Sequence, residues 1–374
     1  MLIRSLAAEN FRNLETFRIE PGPRFNIIEG RNGQGKTNLL EAVFMLGAFR
    51  SPRDAKHPEL VRFGEERAVI IGEIERREVS RTIEIRLSRE GKKVVLDGKP
   101  ITKLPASFMH LSAVLFGPDD LELTKAGPEV RRRFLDRATY AVWPEHLASM
   151  RAYHEALKSR NRLLRDAKIR GQQADAAVLS AFEGELARHG ARIEQRRHLF
   201  LQAFVPHFEE AFRRITDSEL SGQIVHVASG IADSKVSNER LEAVEAELVA
   251  TYERQRGSDA RLGWTRSGPH ADELELFIDE RPARTFASQG QHRAFVLAMK
   301  IAELLRIQEA IGVYPIFLLD DVSSELDERR NALLMETLDR GGGQVFITTT
   351  DRRWIRVQDA KVWQVASGQI SAAS

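Results

Sequence analysis

Three stretches carry residue types suited to nucleotide chemistry. The first, Gly30-Arg31-Asn32-Gly33-Gln34-Gly35-Lys36-Thr37, matches the phosphate-loop pattern G-x-x-x-x-G-K-[ST]. Glycines at 30, 33 and 35 let backbone N–H groups turn toward phosphate oxygens where a Cβ would collide. Lys36 is expected to reach the β- and γ-phosphates, and the Thr37 hydroxyl to hold Mg²⁺. A helix beginning near Lys36 would aim its positive end at the same oxygens. Arg31, Asn32, Gln34 and Asn38 complete the expected nucleotide contacts.

The second stretch is Asp320-Asp321, which ends the most apolar run of the chain, Pro315-Ile316-Phe317-Leu318-Leu319. A run apolar throughout suits a buried parallel strand, whose carboxyl end emerges beside a phosphate loop. Asp320 there can take Mg²⁺ through water. Asp321 can polarise the attacking water as general base. The third stretch, Ala287-Ser288-Gln289-Gly290-Gln291, precedes a long helical pattern. Ser288 suits an N-cap, Gly290 admits a close backbone approach, and a helix start attracts anions. These residues equally suit an ordinary capped helix. The two anion sites could serve two phosphates, or one nucleotide shared across a dimer.

The elements that must position these groups follow from periodicity. Phe25-Asn26-Ile27-Ile28 reads as a short buried strand, and Asn38–Leu46 as a helix, so the loop lies between strand and helix. Residues 2–20 alternate as a strand pair. Strands are expected over 68–74, 81–87 and 93–96, with a hairpin at Asp97-Gly98. From Pro128 to about Arg254 the pattern is mostly helical: Leu147, Met150, Tyr153, Leu157 and Leu164 recur at helical spacing. The opposite face carries Arg151, Lys158, Arg160, Arg162, Arg165 and Lys168, either a track for a DNA backbone or a solvated face. Arg131–Arg133 is either a phosphate contact or a salt-bridge cluster near the core. A helix over 291–310 and strands over 315–319 and 344–350 complete the pattern.

The 374 residues allow two or three domains. The formal net charge is +2, so any nucleic-acid surface must be a local patch. The absence of Cys excludes disulfides and thiolate metal sites and fits a reducing, cytoplasmic setting. No signal-peptide pattern opens the sequence, and no apolar run approaches the roughly 18 residues of a membrane span.

The order of these motifs resembles the ABC/SMC head ATPases, and within them the RecF family. The match runs through Asn10-Phe11-Arg12-Asn13, Gly33–Ala42, Phe116–Leu121, Pro128, Arg131–Asp136, Ser267-Gly268-Pro269-His270, Ser288–Gln291, Leu318–Val322, Ser324–Asp327 and Ile347–Asp351. The resemblance implies an α/β fold: an ABC/SMC-type head with mixed sheets around a phosphate-loop helix, and a helical second lobe. The expected division is 1–112 and 312–374 for the ATPase lobe and 113–311 for the helical lobe carrying the signature. It also implies an ATP-dependent homodimer in which Ser288, with Gln289, Gly290 and Gln291, caps the γ-phosphate held by Lys36 of the other subunit. Ser324 and Asp327 would lie at that interface, and Arg12 near the phosphates. Such dimers use ATP and Mg²⁺ to clamp double-stranded and gapped DNA, hydrolyse ATP slowly, and act with RecO and RecR to load RecA.

The sequence departs from the wider class at three places. Asp321 stands where ABC proteins usually carry glutamate, which fits slow hydrolysis. No clear glutamine occupies 116–120, where Asp119 or Asp120 is the nearest polar replacement. Thr348-Thr349-Thr350 replaces the switch histidine of transporters. The competing expectations are a nucleotide-gated DNA clamp with negligible hydrolysis and a transporter-type ATPase subunit.

Overall fold

β1 (Leu2–Phe11) and β2 (Leu14–Ile19) form the expected antiparallel pair, followed by β3 (Phe25–Glu29) and α1 (Lys36–Ala48). The computed structural model describes residues 1–53, 55–76, 79–101, 113–217, 219–231, 240–321 and 328–373. After the short α2 (His57–Leu60) come β4 (Arg67–Arg76), β5 (Val79–Ser88), β6 (Gly91–Leu96), β7 (Lys99–Ile101) and β8 (Ala113–Phe116). Next are α3 (Glu122–Lys125), α4 (Pro128–Val142), α5 (His146–Ile169), α6 (Ala176–Ile215), β9 (Gly222–Val227) and α7 (Leu241–Leu262). The chain continues through β10 (Glu273–Ile278), β11 (Arg281–Pro282), α8 (Ala283–Phe286), α9 (Gln289–Ile311) and β12 (Ile316–Leu319). It closes with α10 (Glu328–Gly341), β13 (Val345–Thr349), β14 (Lys361–Ala366) and β15 (Gln369–Ala372).

These elements form two units. Met1–Leu121, Arg214–Ser218 and Gln289–Ser374 make the first; Glu122–Arg213 and Glu219–Ser288 make the second. Breaks after 112 and 311 do not match this division. β8 pairs with β12 and α9 packs on β8, so residues 113–121 and 289–311 belong with the first unit.

Among the described residues the first unit holds two sheets. One is antiparallel, in the order β2-β1-β4-β5-β6-β7. The other runs β15-β14-β3-β13-β12-β8, parallel except for the β14–β15 hairpin. α1 joins their cores: Leu39, Leu40, Val43, Phe44 and Leu46 pack in one cluster with Ile3 and Leu6, Ile70 and Ile74, Ile83 and Ile85, and Ile28, Leu318 and Phe346. A helix covered on several sides must be apolar around its circumference, which is why residues 39–46 show so little amphipathic periodicity. Gly72 permits the close approach, since a Cβ there would meet Leu46 Cδ1 at 2.3 Å.

The second unit is built on α4 to α7 and the small sheet β11-β10-β9. Its core includes Tyr153, Leu186, Ile193, Leu248 and Tyr252. β9 lies inside a stretch expected to be helical, and Gly222 at its start is required by packing: a Cβ would meet Phe212 Cδ1 at 2.7 Å.

Charged side chains are buried deep in this unit. Arg160, expected on an exposed basic face, is 0% exposed. It donates to Glu183 Oε1 (2.9 Å), Asp259 Oδ2 (2.8 Å) and Thr265 Oγ1 (2.7 Å). Arg197 donates to both oxygens of Asp136 (2.8 and 2.9 Å) and to Asp272 Oδ2 (2.6 Å). Arg131 is bidentate to Glu273, and Arg132 donates to the Asp272 carbonyl, so these two arginines are structural ties.

Candidate nucleotide-binding site

The parallel sheet aligns the carboxyl ends of three strands. Leu319 pairs with Phe116 and Ile347, Thr348 pairs with Ile28, and Thr349 pairs with Glu29. One edge therefore receives Gly30 and the loop after β3, Asp320 after β12, and Thr348 near the end of β13.

The loop is fixed by its own chain. Gly30 N–H donates to Thr349 O (3.2 Å), and a Cβ at Gly30 would lie 2.4 Å from Val365 O. Gly35 caps α1 with φ 115°, and a Cβ there would meet Leu14 Cδ2 at 2.6 Å and Asn13 Oδ1 at 2.8 Å. Gly33, by contrast, has open space around its Cβ position. Asn13 Nδ2 donates to Gly33 O (3.1 Å), and Asn13 Oδ1 accepts from Asn38 Nδ2 (2.7 Å). Gln34 accepts from Ser367 N–H through its side chain and from Gly368 N–H (3.3 Å) through its carbonyl. Thus Asn13 and the β14–β15 turn brace the loop from two sides.

Lys36 is buried at the start of α1. Its ammonium donates to Gly30 O (2.7 Å), Arg31 O (3.1 Å) and Asn32 Oδ1 (3.4 Å). Burial pushes its pKa down, and the charges of Asp321 and Asp320 oppose that shift. Thr37 Oγ1 donates to Asp320 Oδ1 at 2.9 Å, so two residues 283 positions apart meet. Thr348 Oγ1 donates to the same oxygen at 2.7 Å and accepts from Asp321 N–H at 2.9 Å. Asp321 has a left-handed backbone, φ 50°, a conformation costly for a residue other than glycine unless its surroundings hold it. Burial raises the Asp320 pKa, against the hydrogen bonds from Thr348 and Thr37.

Other expected residues have partners of their own or stand exposed. Arg12 is bidentate to the buried Glu41 of α1, both bonds at 2.9 Å, and donates to Glu59 O. It lines a cleft of about 760 Å³ with Asn13, Asn38, Arg53, Phe63 and Arg89. Asp120 is occupied by the Gly117 N–H (3.0 Å) and by Lys300 (2.8 Å), while Asp119 is exposed. Ser288 is exposed and directly precedes α9, which begins at Gln289. Among the described residues, only Arg330 lies near the Gly290 Cβ position, at 3.5 Å, an ordinary contact. Ser324 and Asp327 lie outside the described residues. Neither the Asn13 contact to the loop nor the β14–β15 turn against it is marked by any local pattern in the sequence.

Known proteins resemble this chain in sequence and in fold. The family model for the RecF/RecN/SMC N-terminal domain matches residues 2–371. A DNA replication and repair protein RecF of Anaeromyxobacter sp. is 42% identical, covering 99% of both chains. One from Myxococcus xanthus is 38% identical over 99% of this chain and 97% of its own. Among solved structures, the recombination mediator protein RecF with the nucleotide ATPrS has a TM-score of 0.90 and 29% identity, covering 100% of this chain and 98% of its own. The ATP form of such a protein gives 0.89 and 28%, covering 100% and 97%. An Smc head, at 15% identity and TM-score 0.57, over 100% of this chain and 98% of its own, shares the fold. The chain belongs to the RecF family, within the wider group of RecF, RecN and SMC proteins.

Proposed function

We propose that the chain is an ATP-dependent DNA-binding clamp of recombinational repair that dimerises on ATP and hydrolyses it slowly under the influence of DNA. The observation that carries this reading is the meeting of Thr37 and Asp320 at 2.9 Å beside the Lys36 ammonium. The named relatives are DNA replication and repair proteins, and two solved ones are complexes with ATP or ATPrS in the RecFOR pathway. That kinship supports, as proposed partners, gapped and duplex DNA, RecO and RecR, and indirectly RecA.

ATP would place its phosphates on the loop from Gly30 to Asn38 and its nucleoside in the cleft lined by Arg12, Asn13, Asn38 and Phe63. The donor set at Thr37 and Asp320 suits Mg²⁺: two hard oxygens, one on a carboxylate whose burial a cation would compensate. When bound, Mg²⁺ supplies neutralisation of phosphate charge. Lys36 shares that electrostatic work. Asp321 takes a proton from water as the water oxygen bonds to the γ-phosphorus, and the bond to the bridging oxygen breaks to give ADP and phosphate. Thr348 orients both acids through one hydroxyl. Thr348→Val is expected to lower kcat roughly tenfold, the scale of a lost hydrogen bond to a buried polar group, with little change in KM. Thr348→Ser should retain most activity. Equal kcat for Val and wild type would remove Thr348 from the mechanism.

Among the described residues nothing but Arg330 lies within 4 Å of the Gly290 Cβ position, which supports its use as a close-approach point for the nucleotide of a partner subunit. Turnover per subunit is therefore expected to rise with protein concentration and with duplex DNA. Ser288→Arg should bind ATP as a monomer yet fail to dimerise, checked by light scattering with ATP. Equal closure by wild type and variant would count against a shared site. A clamp with negligible hydrolysis differs by showing closure without turnover. The transporter reading has no support from a family match to RecF, RecN and SMC proteins.

A further inference from the structure

We infer that the end of the second unit where α5 meets the close of α7 is a surface for single-stranded nucleic acid. The inference rests on reading the chain as a DNA-binding protein and names a place for unpaired strand. α7 ends at Gly263, whose φ of 87° turns the chain, with its N–H on Asp259 O at 2.7 Å. The next residues run back along α5. Lys168 Nζ donates to Leu262 O (3.1 Å), Gly263 lies against Arg165 and Lys168, and Thr265 N–H and Oγ1 donate to Asn161 Oδ1 (2.8 and 2.7 Å). This register sets Trp264 beside the turn of α5 between Asn161 and Arg165.

Trp264 is 49% exposed, Leu262 43% and Ile169 77%. Arg162, Arg165, Lys168, Arg170, Arg261 and Arg266 are all exposed on the same two segments. Few acids oppose them. Asp166 touches Arg162 loosely at 3.8 Å, and the buried Asp259 is already taken by Arg160, with Arg266 at 3.5 Å. The support is rigid, because Arg160 is fully buried and donates to Thr265, the neighbour of Trp264. A half-exposed indole on a fixed base, on segments that also carry exposed arginines, offers a stacking face with phosphate partners nearby in the chain. Only an unpaired base presents a free face to it, so the occupant is a single strand rather than a duplex.

The test is anisotropy of a fluorescein-labelled oligothymidylate with the full chain, without nucleotide, over a range of salt. Trp264→Ala is expected to weaken binding roughly fivefold or more, the low end of measured base-stacking contributions, with an unchanged salt slope. Trp264→Phe should keep most of the affinity. Arg162→Glu with Arg165→Glu should weaken binding and flatten the salt slope by about 1.4, two phosphate contacts on a single strand. No binding of oligothymidylate by wild type, or equal binding by Trp264→Ala, would overturn the inference. So would equal competition by polyglutamate of matched length, which would assign the surface to an acidic protein segment. ATP-dependent binding of duplex by the same proteins is measured in parallel. Its loss in wild type would sink the proposed clamp and leave the single-strand result to stand or fall by itself.

Discussion

Lys36→Ala is expected to weaken ATP binding by roughly 10- to 150-fold, the range of a charge-assisted hydrogen bond worth about 1.5–3 kcal/mol. Hydrolysis should fall further, by roughly 10² to 10³ in kcat, because the lost ammonium also faces charge that develops in the transition state. The ammonium sits among Gly30 O, Arg31 O and Asn32 Oδ1, with the charges of Asp320 and Asp321 acting on it. Negative phosphate would relieve the burial that now lowers its pKa. Removing the amine also frees two loop carbonyls, so the folded chain should lose about 1 kcal/mol as well. A titration with fluorescent ATP, alongside a thermal melt, separates the two effects. Affinity within twofold of wild type would show that the loop does not hold phosphate through Lys36.

Arg197→Met is expected to destabilise the second unit by about 3–5 kcal/mol, the cost of leaving buried charge without its partner. That corresponds to a melting temperature lower by roughly 6–20 °C for a unit of this size. Asp136 and Asp272 would both lose a fully buried cation, and His226 Nε2, 3.2 Å from Asp272, would be left as a nearby ring donor. The neighbouring Glu194 worsens the balance. Its carboxyl is fully buried beside Asp272, and burial holds its pKa well above the usual carboxylate range. The pH dependence follows in sign. Against their burial, Arg197 and His146 hold the Asp136 pKa low, and His226 and Arg197 hold that of Asp272 low. Groups with depressed folded pKa values stabilise above their unfolded pKa, near 4, and lose that contribution as pH falls through the folded value. The gap between wild type and variant should therefore be widest near neutrality and narrow below about pH 4. A gap that stays constant between pH 7 and pH 3 would show that the pairing contributes little.

The phosphate loop was readable because its glycines, lysine and threonine are fixed by chemistry at fixed spacing. The Thr37–Asp320 contact was readable because an apolar strand followed by an acid has few other uses in such a fold. Most early strands were readable from alternation, as at 67–76 and 79–88. Arg160 was not: helical spacing placed it with Lys158 and Arg162, but only tertiary structure brings Glu183, Asp259 and Thr265 around it. Arg12 was expected near phosphate through family likeness, and its pairing with Glu41 depends on how β1 crosses α1. β9, β14 and β15 are four to six residues long and take their stability from neighbours distant in sequence, so local pattern was weak. Asn13 braces the loop from 20 residues away through a turn that no periodicity marks.

β3 delivers the phosphate loop, yet its two neighbours in the sheet, β13 and β14, begin at Val345 and Lys361. A ribosome adds roughly 5–20 residues per second, so on the order of 15–60 s separate the emergence of the loop from that of its supports. The antiparallel sheet, within 2–101, and most of the second unit, within 122–288, have their partners in hand much earlier. A growing chain therefore cannot be rescued by ATP, since the pocket is made of strands not yet translated. Nucleotide rewards only the finished polypeptide, and a chain abandoned before β14 gains nothing from the cell's ATP pool.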